Sequence, residues 1–246
     1  MTAAFFLVDP AVLVTEVGGT VVVDGAEGRH AVTVRRIGVG EPVLVGDGAG
    51  RVVEGKVAAA LGRDVLEVEV ISFAEHPVPT PRVVVVQALP KGERGELAVE
   101  LMTELGVDEI VPWAAARSIT QWDSGPRGAK ALTRWRRTAQ EAAKQSRRPW
   151  VPVVAGPAST AAVARRLSGG LVLHEAAQLP LAVAELPTTG EIVLVVGPEG
   201  GISDDELSTF LAAGATAVRL GSPVLRTSTA GPAALAALSL RLGRWA

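Results

Sequence analysis

The sequence contains no cysteine, and histidine is rare. The absence of cysteine excludes disulfides, thiolate metal sites and a cysteine nucleophile. The three histidines, His30, His76 and His174, lie far apart along the chain and lack the close spacing of zinc or iron ligands. We therefore expect no metal site and no cysteine-based chemistry.

Long apolar runs are also missing. No window of about eighteen uninterrupted apolar residues occurs, and the first residues, MTAAFFLVDP, lack the basic segment and the long apolar core of a signal peptide. We therefore expect a cytoplasmic protein that does not enter membranes. With 48% hydrophobic and 20% charged residues among 246, the composition is that of a globular protein rather than a disordered chain.

The chain as a whole has no excess of positive charge, because 24 Lys and Arg residues face 26 Asp and Glu residues. Between Arg127 and Arg148, however, eight Lys and Arg residues accompany a single acidic residue, Glu141. Such a basic patch suits phosphate groups. A charge run is more often the solvated face of a helix, so the patch alone leaves both interpretations open.

The character of the chain changes near residue 75. Residues 1–74 consist of short valine-rich β segments separated by Gly and Asp, which predicts a small β-barrel or sandwich. Residues 75–81 include the segment HPVPTP, whose prolines predict a stiff linker. In residues 82–246, apolar strands alternate with amphipathic helices, as in an α/β domain with a parallel sheet covered on both faces. The predicted strands are Arg82–Ala88, Glu109–Trp113, 170–174, Glu191–Val196 and 216–220.

Two helices are predicted early in the second part. Leu97, Leu101 and Leu105 recur at helical spacing before Gly106, a residue suited to a helix C-terminus. A second helix is expected over residues 130–145, and it would carry the basic patch.

The most informative segment is EIVLVVGPEGGISDDEL, in which a buried strand ends at Val196 and a glycine-rich turn follows. Ser203 and Glu206 form the pattern of a capping box, which predicts a helix start. Strand, glycine turn and helix together are how α/β proteins build ligand sites. The segment matches neither the dinucleotide fingerprint nor the phosphate-binding Walker loop, and an ordinary tight turn remains an alternative.

A second turn of this kind follows the next predicted strand, in RLGSPVLRTSTAGPAALAAL. Thr227 or Ser228 is expected to cap a long Ala/Leu helix. Arg226 precedes that helix, where the helix dipole favours anions, so a functional arginine is a more natural interpretation than a surface salt bridge. Two such turns after successive strands suggest one pocket. The last helix is apolar on more than one face, so it is either buried or in contact with a second copy of the chain.

These two segments resemble the C-terminal signature of the uracil-N3 methyltransferases of small-subunit ribosomal RNA (RsmE), a family of the SPOUT superfamily. KGERGELAVELMTELGVDEIVPWAAARS and RWRRTAQEAAKQSRRPWVP resemble further family segments, and HAVTVRRIGVG resembles the "H…VLR…VG" pattern of a PUA-like RNA-binding barrel. Arg35 stands where the family commonly has leucine. The family's "LR.ETA" is Leu225-Arg226-Thr227-Ser228-Thr229-Ala230 here, so no role of a glutamate at that place carries over.

The resemblance implies an α/β SPOUT methyltransferase domain with a deep trefoil knot, a feature that general folding rules disfavour, after a PUA-like β-barrel. It also implies S-adenosylmethionine (SAM) as cofactor, 16S ribosomal RNA within the small subunit as substrate, and a homodimer. The cofactor residues implied are His174, Glu175, Gly197, Pro198, Glu199, Gly200, Gly201, Ile202, Leu220, Gly221, Ser222, Val224, Leu225, Arg226 and Ala230.

The chemistry assigns two candidate catalytic residues. Methylation at the uracil N3 requires loss of the imide proton, and Arg226 is our candidate for stabilising the resulting charge on the carbonyl oxygens. Glu199 either accepts the proton or holds the glycine turn by hydrogen bonds. Because the target nitrogen lies on the pairing edge, the nucleotide must be flipped out or unpaired. The proposed RNA phosphate contacts are Arg36, Arg134, Arg136, Arg137, Arg147 and Arg148.

Three other functions remain open at this stage. A SPOUT enzyme that methylates the ribose 2′-oxygen of ribosomal or transfer RNA would share the same signature. A non-catalytic RNA-binding assembly factor would use the same barrel and basic patch. A nicotinamide dehydrogenase is disfavoured by the missing dinucleotide fingerprint.

Overall fold

The computed structural model describes residues 3–245. Residues 1, 2 and 246, which are ends of the predicted domains 1–74 and 82–246, lie outside the described residues. The contacts divide the chain into two compact units. The first comprises the chain through Val78 together with Ala143–Val151, and the second comprises Pro79–Ala142 and Pro152 onward. Within residues 3–245, no helix combines the length and the apolar character needed to cross a membrane.

The first unit is built on a five-stranded sheet in the order β1-β3-β4-β5-β2. Alternate residues of these strands, such as Val21, Val23, Val43 and Val45, form its buried core. This alternation is what the sequence predicted for a half-buried β domain. The strands are β1 (Ala4–Leu7), β2 (Thr20–Val23), β3 (Pro42–Gly46), β4 (Arg51–Leu61) and β5 (Val65–Glu75).

Helical residues lie between β2 and β3, where none was predicted. A short helix α1 (Gly25–Arg29) continues into a π-helix (His30–Val34). Gly28 is required in α1, because a Cβ there would lie 1.9 Å from the carbonyl oxygen of Asp64. The sequence did not predict this segment because only two of its ten residues, Gly28 and Ala31, are buried, which is too few to give a helical pattern of apolar residues.

Residues 143–151 join the first unit although they are distant from it in sequence. The amide of Gly50 donates to the Pro149 carbonyl at 3.0 Å, and the amide of Val151 donates to the Gly48 carbonyl at 2.9 Å. The Trp150 ring covers Gly50, where a Cβ would lie 2.6 Å from the ring. Glycine is thus needed at residue 50 for this close approach.

The second unit contains a seven-stranded parallel sheet in the order β10-β12-β9-β11-β6-β7-β8. Its strands are β6 (Arg82–Ala88), β7 (Glu109–Trp113), β8 (Val153–Val154), β9 (Leu171–Leu173), β10 (Leu179–Pro180), β11 (Glu191–Val196) and β12 (Thr216–Arg219). The five predicted strands are confirmed, whereas the two-residue strands β8 and β10 were missed.

Helices cover both faces of this sheet, which explains the uninterrupted valine run of β6. Val83 and Val85 belong to one buried cluster, and Val84 and Val86 belong to the other. A strand buried on both faces has no need for polar alternation. The predicted α/β class is confirmed. The helices are α2 (Arg94–Glu104), α3 (Pro126–Gln145), α4 (Thr160–Ala164), α5 (Asp204–Ala212) and α6 (Thr227–Arg241), with a 3-10 turn at Leu181–Val183.

The N-terminal cap of α5 is the one predicted from the sequence, whereas the cap of α6 is not. Ser203 and Glu206 form the predicted capping box of α5. The predicted cap of α6 by Thr227 or Ser228 is wrong, since Arg226 is the N-cap residue and Thr227 is the first helical residue. The Thr227 hydroxyl instead accepts from the Gln87 side-chain amide at 2.9 Å and donates to the Gly197 carbonyl at 2.7 Å.

An ion-pair network lies at the amino ends of three neighbouring strands, β6, β7 and β11. Arg166, which follows α4, donates to Glu109 at the start of β7 and to Glu191 at the start of β11, with distances of 2.6–3.0 Å. Arg82 at the start of β6 donates to both carboxylates as well. The hydrogen bonds from Arg166 hold the pKa of Glu109 below its ordinary value, and the two carboxylates raise the pKa of Arg166.

Candidate functional site

Three chain segments meet at the carboxyl edge of the parallel sheet. Strand β9 lies between β11 and β12, and all three run parallel, so the residues that follow them emerge at the same edge. These residues are His174 and Glu175 after β9, the turn 197–202 after β11, and the turn 220–226 after β12.

The three segments line one cavity of about 500 Å³. Every cofactor residue inferred from the sequence contributes to its lining, including Ala230 in the first turns of α6. The cavity is therefore the structural counterpart of the pocket that the two glycine turns predicted. Residues of the lining that the sequence reasoning did not select are Arg117, Leu173, Val196, Arg219, Pro223 and Thr227.

The glycine turn after β11 is tightly constrained. The amide of Gly201 donates to the Pro198 carbonyl at 2.9 Å, and Gly201 has a φ of +74°. A Cβ on Gly197 would lie 2.8 Å from the Ile202 side chain. A Cβ on Gly200 would lie 3.1 Å from the Cβ of Arg117. The glycines thus allow the turn to close on itself and on a neighbouring segment.

A buried hydrogen-bond chain joins the two turns. Gln87 of β6 is fully buried and donates to the Thr227 hydroxyl at 2.9 Å, and Thr227 donates to the Gly197 carbonyl at 2.7 Å. Since Thr227 begins α6 and Gly197 begins the glycine turn, this chain fixes the second turn against the first.

Arg117 comes from a segment about eighty residues before the glycine turn. Its guanidinium donates to the carbonyls of Gly200 and Ile202 at 3.3 and 3.4 Å. The adjacent amide of Ala116 donates to Glu206 at 2.7 Å, and that carboxylate also accepts from Ser203 of the capping box. Glu206 is only 5% exposed, so a single buried carboxylate ties this segment to the helix start. The capping box was the one sequence signal that pointed to Glu206.

The two candidate catalytic residues have different surroundings. Arg226 is exposed at the start of α6 and lines the cavity. Glu199 is exposed, and its Oε1 accepts the backbone amide of Lys91 at 3.2 Å. The Lys91 contact supports a role of Glu199 in holding the glycine turn. His174 accepts the amide of Ala176 through Nδ1 at 3.2 Å, which orients the imidazole.

The six arginines predicted to contact RNA are divided equally between the two units. Arg36, Arg147 and Arg148 belong to the first unit, and Arg134, Arg136 and Arg137 belong to the second. Arg134 pairs with Glu96 at 3.1 Å, and Arg136 donates to the Val154 carbonyl at 3.1 Å. The second-unit cavity is lined by none of the six. Within residues 3–245, no group of three or more His, Cys, Asp or Glu residues has the arrangement of a metal site.

Comparison with known proteins identifies the family. The model of the RNA methyltransferase domain matches residues 76–239, and the model of the RNA methyltransferase PUA domain matches residues 23–71. The ribosomal RNA small subunit methyltransferase E of Mycobacterium bovis is 46% identical over 252 aligned residues, which cover 100% of this chain and 94% of the relative. The chain belongs to the ribosomal RNA small subunit methyltransferase E family. The resemblance seen in the sequence is thereby confirmed.

Two solved structures have the same fold as this chain. The ribosomal RNA small subunit methyltransferase E of Neisseria gonorrhoeae, solved bound to S-adenosyl methionine, superposes with a TM-score of 0.85 at 28% identity and covers 98% of both chains. A Legionella pneumophila chain solved in complex with SAM gives a TM-score of 0.83 at 25% identity and also covers 98% of both chains.

Proposed function

We propose that this protein transfers a methyl group from SAM to the N3 of a specific uridine in 16S ribosomal RNA of the small subunit. The observation that carries the proposal is the single cavity formed by the turns after β11 and β12, in a chain whose family acts on small-subunit ribosomal RNA and whose solved relative binds SAM. If both turns bind one methyl donor, they must line the same cavity, and they do.

The cavity suits the chemistry of SAM. Its volume of about 500 Å³ lies within the roughly 300–1,000 Å³ of cofactor sites. Ile202, Leu220 and Leu225 offer apolar surface for an adenine and a ribose. The carboxylates of Glu175 and Glu199 suit a ligand that carries a sulfonium and an ammonium cation. The residues proposed to hold SAM are His174, Glu175, Gly197, Pro198, Glu199, Gly200, Gly201, Ile202, Leu220, Gly221, Ser222, Val224, Leu225, Arg226 and Ala230, and we add Arg117.

When bound, SAM supplies a methyl carbon activated by its sulfonium, so the protein needs mainly to align the acceptor and remove its proton. Arg226 is proposed to lie beside the uracil carbonyl oxygens and to stabilise the anion left when the N3 proton departs. Glu199 either accepts that proton or holds the glycine turn through the hydrogen bond that its Oε1 accepts from the Lys91 amide, and we expect the holding role. Substitution of Glu199 by glutamine separates these roles, because the glutamine carbonyl accepts the Lys91 amide but cannot take up the proton.

Several features of the whole protein belong to the same proposal. Residues 1–74 are proposed to be a PUA-like RNA-binding barrel, 75–81 a linker and 82–246 a knotted SPOUT domain, with residues 143–151 packing on the barrel unit. Arg36, Arg134, Arg136, Arg137, Arg147 and Arg148 are proposed to contact RNA phosphates. A homodimer is supported by the 66% exposure of Leu240 on α6, and a cytoplasmic location follows from the ribosomal substrate.

The experiment that tests this function is mass-spectrometric mapping of methylated uridines in 16S ribosomal RNA from cells with and without the protein. We expect one N3-methyluridine to depend on the protein, and Arg226→Lys to leave that position largely unmodified. Primer extension on the same RNA should stop at that position, because the methyl group blocks the pairing edge.

Two outcomes would overturn the proposal. Full read-through at a position that has gained mass would indicate ribose methylation. The absence of any change, together with no binding of S-adenosylhomocysteine in calorimetry, would indicate a non-catalytic RNA-binding factor.

A further inference from the structure

A second cavity lies wholly within the first unit. It has a volume of about 260 Å³ and is bounded by β1, the π-helix and the C-terminal end of α3. Its lining residues include the basic residues His30, Arg35, Lys144 and Arg147 together with Phe5 and Phe6. We call it the basic cleft.

The cations of the basic cleft are only partly neutralised. Lys144 is buried and pairs with Glu27 at 2.6 Å, and the other carboxylate oxygen of Glu27 accepts the amide of Leu7. Among residues 3–245, neither Arg35 nor Arg147 pairs with a carboxylate. Two free guanidinium groups beside a neutralised lysine leave a site that favours an anion.

The end of α3 places an arginine where the backbone favours glycine. The amide of Arg148 donates to the Ala143 carbonyl at 2.9 Å, and the amide of Arg147 donates to the Lys144 carbonyl at 3.2 Å. This pair of bonds is a Schellman motif, whose left-handed residue is usually glycine. Here that residue is Arg147, with a φ of +53°. A side chain retained in a strained backbone is typical of ligand-binding positions.

The end of the π-helix also lies beside the cleft, since its C-cap residue Arg35 is part of the lining. The amide of Arg35 donates to the His30 carbonyl at 2.8 Å, and Arg36, the next residue, has a φ of +53°. Arg36 and Arg147 are the only non-glycine residues with positive φ in the described part of the chain. Single π-helical turns occur frequently at functional sites. Of the two arginines that line the cavity, Arg147 thus has a left-handed backbone and Arg35 directly precedes a residue that has one.

The size of the cleft selects among anions. A volume of about 260 Å³ is below the roughly 300–1,000 Å³ that encloses a drug-sized ligand, so it suits one phosphate group with part of its sugar rather than a whole nucleotide. Guanidinium groups bind phosphate oxygens in a bidentate manner. We propose that the basic cleft binds one phosphodiester group of the RNA substrate through Arg35, Arg147 and His30. The proposal rests on the proposed function, because that function supplies the RNA.

Substitutions at the two free arginines test the proposal in the full-length protein. Arg147→Gly removes the guanidinium and relieves the left-handed backbone, so its melting temperature should equal or exceed that of the wild type. Arg35→Leu introduces the residue that the resembling family commonly has. Arg63→Gln removes an exposed arginine of the same unit, in the turn between β4 and β5, and is the matched control.

The probe is 16S ribosomal RNA from cells that lack the protein, with binding measured by filter retention at several salt concentrations. We expect Arg35→Leu and Arg147→Gly each to weaken binding roughly tenfold and to lower the salt slope by about 1. In methyl transfer, KM for RNA should rise while kcat stays unchanged. Binding and salt slopes equal to those of Arg63→Gln would overturn the proposal and leave these arginines as partners of the helix C-terminus.

The three histidines provide an independent readout, because each imidazole reports on a different place. RNA should shift the NMR resonances of His30 in the wild type but not in Arg147→Gly, and His76 should serve as the internal reference. S-adenosylhomocysteine should shift His174, which lines the other cavity. Failure of His174 to respond would count against the proposed function, whereas failure of His30 alone would count against the basic cleft.

Discussion

At the scale of single residues, the hydrogen bonding of Glu199 allows its two possible roles, proton acceptor and support of the glycine turn, to be separated by mutation. Its Oε1 accepts the Lys91 amide, which a glutamine side-chain carbonyl could accept equally well. We expect Glu199→Gln to keep kcat within a few-fold of the wild type and Glu199→Ala to weaken SAM binding. A loss of about 10²–10⁴ in kcat for the glutamine variant would instead identify Glu199 as the proton acceptor. Single-turnover methylation of 16S ribosomal RNA measures the difference.

Thr227 is a second position with a clear expectation. Thr227→Val keeps the shape but leaves the Gln87 amide and the Gly197 carbonyl without their shared partner. We expect a loss of about 1–3 kcal/mol of unfolding free energy and weaker binding of S-adenosylhomocysteine.

Urea unfolding and calorimetry are the measurements for Thr227→Val. Thr133→Val is the control, because its exposed hydroxyl bonds only within α3 and its loss should change stability by about 0.5 kcal/mol or less. Equal stabilities of the two variants would show that the buried chain does not hold the turns together.

The cavity-lining residues of the two turns could be read from the sequence, whereas Arg117 could not. The glycines and the strand endings are local signals, so residues 197–202 and 220–226 stand out directly. Arg117 reaches the glycine turn from a distant segment, and only the order of strands in the sheet brings it there. The same reason explains why the basic cleft, which joins residues over a hundred positions apart, has no sequence signature.

At the scale of elements, strands buried on both faces were predicted closely and irregular elements were missed. Strands β6, β7 and β11 have the predicted bounds because their valine and isoleucine runs end at polar or turn residues. Strands β8 and β10 have two residues each, too few for any periodicity, and exist through pairing with β7 and β12. The π-helix follows α1 without a cap or a separate apolar face.

The ion network at the amino ends of β6, β7 and β11 predicts a dependence of stability on pH. Hydrogen bonds from Arg166 lower the pKa of Glu109 from its ordinary value of 4.5 in the folded protein. The resulting stabilisation is present above that ordinary value and is lost as the pH falls through the lowered pKa.

We therefore expect Arg166→Gln to be less stable than the wild type at neutral pH, by about 1–3 kcal/mol for a partly exposed network. The difference should shrink as the pH drops below 4.5, the ordinary pKa of Glu109. Urea unfolding from pH 7 to pH 3 measures it, with Arg165→Gln at the exposed neighbouring position as control. A difference that stays constant over this range would contradict the assignment to Glu109.

At the scale of the whole molecule, the proposed homodimer makes a direct prediction. Leu240 on α6 is 66% exposed, and burial of such a side chain between two copies would stabilise their association. We expect the wild type to sediment as a dimer and Leu240→Glu to shift toward the monomer. Leu61→Glu is the control, because Leu61 is also exposed and lies at the end of β4 in the first unit. Sedimentation of the wild type as a monomer would contradict the proposal.

The position of β6 in its sheet has a consequence for biosynthesis. β6 is the first strand of the second unit to leave the ribosome, yet one of its neighbours is β11, which is made about a hundred residues later. At bacterial rates of roughly 5–20 residues per second, the edge of β6 that pairs with β11 stays unpaired for about 5–20 s during synthesis. The nascent chain is therefore a natural client for chaperones that shield apolar strands, and a ribosome that stalls before β11 would release an aggregation-prone fragment.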